Sequence, residues 1–178
     1  VQTYSLGELL HFHQKEKIEK KIKDFRCKDK SINHFFTKKA IIFEEKHICR
    51  TYINWEADSI DSFFSIAMGI IAKESIKKET AKLIFDSINT KQKTHIPVFL
   101  LAQLAKRMES KSIGNTLVNQ AMGLIYEIQS RIGGALIVVD AINQEKIIKL
   151  YREFDFQEIE ESKDKKIVKM MHYISTAL

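Results

Sequence analysis

A chain of 178 residues with 44% hydrophobic and 29% charged residues can bury a core of ordinary domain size, which excludes a disordered or fibrous protein. It has no apolar run of about 18 residues, no secretory pattern at its start and only two cysteines, Cys27 and Cys49. A membrane span and a disulfide framework are therefore not expected, and the cytoplasm is the expected compartment. The formal charge of +6 is concentrated, because residues 15–39 hold ten Lys or Arg against four acids. That segment carries the whole excess and suits a polyanion such as RNA; the competing reading is a solvated Lys-rich helix face.

Apolar spacing predicts a short helix over 5–13 through Leu9, Leu10 and Phe12. A Lys-rich amphipathic helix follows over 16–25 through Ile18, Ile22 and Phe25, then a helix over 31–40 with Ile32, Phe35 and Phe36 inward. Residues 40–45 and 48–57 read as two strands joined at Glu45, Lys46 and His47, and 62–71 as another strand. Ile76, Leu83, Ile84 and Ile88 place a helix over 75–88, with the character of a lid-like insertion.

Pro97 opens the strongest strand, 98–105, whose faces are both apolar apart from Gln103, so it is expected between two layers. Helix 115–130 carries a stripe of Leu117, Val118, Ala121, Leu124, Ile125 and Ile128. Gly133 and Gly134 end that connection, and 135–139 is a second buried strand. Asn143 is the expected N-cap of a helix running to Phe154, and 167–175 a closing strand. With no repeat or Pro/Gly linker, residues 1–178 are expected to form a single domain.

A strand–helix–strand connection is right-handed in nearly all cases, so the two strong strands should run parallel. The loop 106–113 then lies at a helix N-terminus, where free amides and the helix dipole favour an anion. Lys106, Arg107 and Lys111 add cations, and Gly114 lets the backbone approach a ligand closely. The Gly-rich loop ending in Lys-Ser/Thr of a triphosphate site is absent, and so are the three spaced glycines of a dinucleotide site. Coenzyme A is the third ligand of this class.

The stretch from Leu104 through Ser110, Lys111, Ser112, Ile113 and Gly114 to Leu117 and Val118 resembles the pyrophosphate loop of the GNAT acetyltransferases. The downstream run Ile137–Asn143, followed by Leu150, Tyr151, Phe154, Asp155 and Phe156, is similar to that family's second signature, with matching spacing over about 60 residues. Phe25-Arg26-Cys27, Ile32 to Phe36, and Ser130 to Gly133 look like the branch containing aminoacyl-tRNA-acetylating toxins. The resemblance implies an α/β (α+β) GNAT fold: a mixed, mostly antiparallel sheet with a central splayed parallel strand pair, flanked by helices.

It also implies an acetyl-CoA-dependent N-acetyltransferase acting on a primary amine, with the α-amine of aminoacyl-tRNA the finer candidate. A homodimer and a small antitoxin are candidate partners. The implied cofactor-binding residues are Leu104, Ala105, Arg107, Glu109, Ser110, Lys111, Ser112, Ile113, Gly114, Asn115 and Asn143. Leu104 and Ala105 would face the pantetheine arm, and one of their amides a developing oxyanion. Tyr151 is the implied general acid toward the departing thiolate; without the resemblance, its place in a stripe with Ile147 and Phe154 reads as core.

No general base is evident, since Gln103 occupies the central strand and the reach of Glu56 and Asp58 depends on the fold. A lysine with pKa about 10.4 is neutral in about one molecule in several thousand at pH 7, an α-amine near 7.7–8 in roughly a tenth, which favours an α-amine acceptor. The six histidines show no metal-ligand spacing, and the two cysteines no nucleophile pattern. Ser110, Ser112 and Asp155 stand where the family carries glycines. Positive φ at a serine would cost roughly 1–2 kcal/mol. These departures also motivate a second reading, a non-catalytic GNAT scaffold that binds RNA or protein.

Overall fold

The computed structural model describes residues 2–12, 15–87, 94–111, 114–159 and 166–174. The chain order is β1 (Gln2–Ser5), α1 (Leu6–Phe12), α2 (Lys15–Lys23), α3 (Lys30–His34), a π-helical turn (Phe35–Lys39) and α4 (Ala40–Glu45). Then come β2 (Arg50–Glu56), β3 (Ser59–Ala72), α5 (Lys78–Ser87), β4 (His95–Lys106) and α6 (Gly114–Ile132). The chain closes with β5 (Leu136–Ile142), α7 (Glu145–Arg152), β6 (Gln157–Glu158) and β7 (Ile167–Tyr173).

The described strands form one mixed sheet in the order β1-β2-β3-β4-β5-β7-β6. β1/β2, β2/β3, β5/β7 and β6/β7 pair antiparallel. β4 and β5 pair parallel, as the strand–helix–strand order predicts. Their ladder is short: Phe99 faces Ile137 and Leu100 faces Val138, although both strands run on for several residues.

Residues 1–67 with 102–121, and 68–101 with 122–178, form two compact units. In the first, Phe36 stacks on Phe63 with centroids 3.9 Å apart, and Phe25 meets both rings edge-on. Leu6, Ile22, Ile53 and Ile60 complete this core. The apolar positions read from α2 are core positions, because 3.6-residue spacing gathers Ile18 and Ile22 onto one face; of those read from helix 31–40, Phe36 is buried, while Ile32 and Phe35 are only partly buried against the same core. In the second unit, Ile71, Ile84, Val98, Leu136, Val138 and Met171 pack together.

Three local expectations are corrected. Residues 40–45 form a helix, not the first strand of a hairpin. The two preceding turns supply a hydrogen-bonded template, and a short Ala-Ile-Ile-Phe run extends it; periodicity alone cannot separate helix from strand over so few residues. Ala40 and Glu44, four apart, are buried. The Glu44 carboxylate accepts from Arg50 Nη1 at 2.8 Å and from the Thr51 amide at 2.9 Å, tying the helix end to β2. The hairpin lies one step later, between β2 and β3, turning through Ala57 at φ 52°.

The expected helix over 75–88 exists as α5, but Ile76, Ala81 and Ile84 belong to the second unit's core, so it is a packed element and not a lid. The side chain of Leu83, and Ile88, lie outside the described residues. The N-cap of α7 is Gln144, in extended conformation with no side-chain cap hydrogen bond, not Asn143. Asn143 instead donates its amide to the Lys166 carbonyl at 2.8 Å.

Candidate active site

β4 delivers the chain to the phosphate-type turn. Its first half is core, with Val98, Phe99 and Leu101 buried, whereas Ala102, Gln103, Leu104 and Ala105 are only half-buried. The expectation of burial on both faces therefore holds only up to Leu101. Beyond the two-pair ladder, β4 presents apolar side chains and a stretch of backbone that β5 does not pair among the described residues.

The turn after β4 is fixed from outside and within. Arg107 donates its amide to the Asp61 carbonyl of β3 at 2.7 Å, and Met108 to the Arg26 carbonyl at 3.0 Å. Ser110 donates its amide to the Arg107 carbonyl at 3.1 Å, which closes a β-turn, while Lys106 Nζ reaches the Ser110 carbonyl at 3.1 Å. Arg107 Nη2 donates to the Asp24 carbonyl at 3.4 Å. The amides of Arg107, Met108 and Ser110 are thus committed within the protein. Ser110 is not among the residues at positive φ, so the strain considered for a serine there is not incurred. Glu109 and Lys111 are exposed. Ser112 and Ile113 lie outside the described residues.

Gly114 and Asn115 open α6, a helix of 19 residues with no acid in its first turn. Its positive dipole end is therefore not offset by its own side chains. Leu117, Val118, Ala121 and Ile125 of its apolar stripe are buried, and Leu124 and Ile128 half-buried. In the first unit, Gln120 accepts from Asn54 Nδ2 at 2.8 Å, which joins α6 to β2 through a buried amide.

Tyr151 lies on α7 and is 5% exposed, packed edge-on against Phe156 at 5.4 Å. Its phenol has no hydrogen-bond partner among the described residues, and burial pushes its pKa well above the usual phenol range. The helix ends in a tight turn: Phe154 and Phe156 both donate amides to the Tyr151 carbonyl, at 3.0 and 3.2 Å, and Asp155 sits at φ 58°. The Asp that replaces the family's glycine does adopt the left-handed turn. His172 of β7 supports the same corner, with its Nδ1 2.8 Å from the Phe154 carbonyl and its Nε2 2.9 Å from the Tyr126 hydroxyl. Since a carbonyl only accepts, Nδ1 carries a proton.

Neither acid considered as a base is well placed to be one: Glu56 is exposed at the end of β2, and Asp58 is ion-paired to Lys21 at 2.6 Å. Burial raises the thiol pKa of both Cys27 and Cys49. Sequence reasoning missed the roles of Asp61 and Arg26, whose carbonyls hold the turn. No motif flags a backbone acceptor, although Arg26 lies within the quoted Phe25-Arg26-Cys27 pattern.

No family profile matches the chain, and no curated protein matches it by sequence. Solved structures do. AtaT complexed with acetyl-methionyl-tRNAfMet is similar at TM-score 0.66 and 19% identity, over 85% of this chain and 86% of that one. AtaTR bound with acetyl-CoA is similar at TM-score 0.67 and 16% identity, over 97% and 92%. A tyrosine-to-phenylalanine mutant of KacT is similar at TM-score 0.66 and 16% identity, over 85% and 86%. The chain therefore has the GNAT fold, the fold it shares with AtaT and KacT.

Proposed function

We propose that this protein is an acetyl-CoA-dependent N-acetyltransferase acting on a primary amine, in the finer reading the α-amine of aminoacyl-tRNA. The observation that carries the reading is Tyr151. A buried hydroxyl with no partner among the described residues is unfavourable for folding, which supports a use in chemistry. The residues fit the cofactor: an α6 N-terminus without acids, cations at Lys106, Arg107 and Lys111, and a half-buried apolar stretch at Leu104 and Ala105. Acetyl-CoA supplies an acetyl group activated as a thioester.

In this reading the helix N-terminus at Gly114 and Asn115, with Glu109, Lys111, Ser112 and Ile113 of the loop and the Arg107 side chain, holds the pyrophosphate, while Ser110, whose amide is spent on the Arg107 carbonyl, shapes the turn. Leu104 and Ala105 are assigned to orient the arm, and Asn143 is assigned to the cofactor with them. Tyr151 remains a protonated phenol throughout the physiological range, so it acts as a proton donor and not as a base. With no committed base, an amine that is partly neutral at pH 7 is the favoured acceptor. The neighbours support the finer terms: AtaT was captured with acetyl-methionyl-tRNAfMet, with the C-terminus of the antitoxin AtaR, and with AtaR on DNA. A small antitoxin partner and a homodimer are proposals here on the same footing, as is a cytoplasmic location; among the described residues no helix is long and apolar enough to cross a membrane.

The test incubates the protein with acetyl-CoA and charged tRNA, following thiol release and blocking of the α-amine. Acetylation of charged tRNA and not of free polyamines is expected. Equal acetylation of polyamines without effect on tRNA would remove the finer reading, and no binding of acetyl-CoA at millimolar concentration would leave the non-catalytic scaffold.

A further inference from the structure

A pocket of about 350 Å³ opens in the first unit between α3, its π-helical extension and the turn after β4. Arg26, Lys30, Asn33, His34, Thr37 and Met108 line it, and no acid does. Its polar side chains are nearly all committed to donating. Asn33 uses its carboxamide oxygen to accept the Cys27 amide at 3.0 Å, which fixes the amide orientation and leaves Nδ2 as its donor group. Thr37 donates to the Asn33 carbonyl at 2.9 Å. Arg26 spends Nη1 on the carbonyls of Lys23 and Phe25, at 2.6 and 2.7 Å, leaving its other guanidinium donors unused among the described residues. The Lys30 and His34 side chains make no hydrogen bond or ion pair among the described residues. Asp29, beside Lys30 in sequence, is occupied, since its carboxylate caps the Ile32 amide at 2.9 Å.

A hollow that offers donors and two cations, with no carboxylate, selects an anion. Its volume is far larger than a phosphate group needs and falls in the range of small-ligand sites. The rest of the lining is flat or apolar: the exposed His34 ring and Met108, 57% exposed. Cation next to an aromatic surface is the pattern of a single-stranded nucleotide site. The surrounding segment 15–39, with its net +6, extends the same potential beyond the pocket.

We infer that this pocket holds one nucleotide of a single-stranded RNA end, its phosphate on Arg26, Lys30 and Asn33 Nδ2 and its base against His34 and Met108. This deepens the acceptor reading above and rests on it for the choice of RNA as the polyanion. The pocket shares a backbone contact with the cofactor turn, because the Met108 amide donates to the Arg26 carbonyl. Strand binding and the cofactor loop are thereby fixed to one another.

The test is a fluorescence-anisotropy titration of the full chain with a labelled, uncharged single-stranded RNA ending in CCA, without acetyl-CoA, over a series of salt concentrations. Two lost phosphate contacts predict a salt slope shallower by about 1.4 in Arg26→Ala/Lys30→Ala, and an affinity loss on the order of twentyfold at 0.1 M salt that shrinks as salt rises. Since Arg26 also holds backbone carbonyls, Lys30→Glu provides the variant that leaves folding intact, with at least a threefold loss expected at 0.1 M salt. Lys146→Ala, outside the lining, should leave both affinity and slope unchanged. Unchanged slope and affinity in both pocket variants would overturn the proposal. So would free AMP binding as tightly as the strand, which would make the pocket a mononucleotide site. Because no acetyl-CoA is present, failure here leaves the acetyltransferase reading standing, and loss of acetyl transfer with RNA binding intact would count against that reading alone.

Discussion

At the scale of single residues, the role proposed for Tyr151 can be weighed against its effect on stability. Its hydroxyl is buried and has no partner among the described residues. Tyr151→Phe should therefore fold at least as well as the parent, with a gain of up to about 1 kcal/mol in urea unfolding. The same variant should lose about 10²-fold or more in turnover while keeping acetyl-CoA affinity, measurable by thiol release beside calorimetry. Unchanged turnover would return Tyr151 to the core stripe. A pH experiment isolates the phenol. Its folded pKa is raised by burial, so the parent's stability is complete below pH of about 10, and above it falls by up to about 1.4 kcal/mol per unit as the unfolded chain sheds the proton first. The stability difference between parent and Tyr151→Phe should widen in the variant's favour above that pH. Asp155 stands where the family carries a glycine, and it takes the left-handed conformation that a glycine there favours, with φ 58°. That Asn143 would not cap α7 was not legible, because the choice of first helical residue depends on the Lys166 carbonyl, brought near only by folding.

At the scale of elements, the two glycines before β5 and the Glu44 carboxylate in the last turn of α4 are the joints. Gly134 sits at φ 115°, and a Cβ there would lie 2.6 Å from the Phe99 ring. Gly134→Ala should cost about 3 kcal/mol, from backbone strain and overpacking together, read as a lowered urea midpoint with an unchanged slope. Glu44→Ala should cost a similar amount, about 3 kcal/mol, because it strands the Thr51 amide and the Arg50 pair behind a helix end. That second joint also explains the missed helix. The run 40–45 was ambiguous by itself, and its state was settled by the helix before it and by a buried carboxylate reaching β2. Helices 6–12, 15–23 and 114–132 were legible because their apolar residues recur at helical spacing over several turns.

At the scale of the whole molecule, ligand linkage gives a direct test of the cofactor proposal. Acetyl-CoA at a hundredfold excess over its dissociation constant should stabilise the folded chain by about 2.7 kcal/mol, which raises the melting midpoint by about 5–10 °C for a domain of this length. No shift would favour the non-catalytic scaffold. The sequence alone determined the order of elements through the strand–turn–helix–strand unit, the parallel sense of β4 and β5 and the basic segment. All of these depend on local periodicity, chirality or composition. Only the tertiary structure decided which backbone amides of the turn are already used, how short the parallel ladder is, and that Arg26, Asn33, His34 and Met108 meet around one pocket. Those facts join residues up to about eighty positions apart, and local spacing carries no record of which distant carbonyl or side chain will arrive beside them.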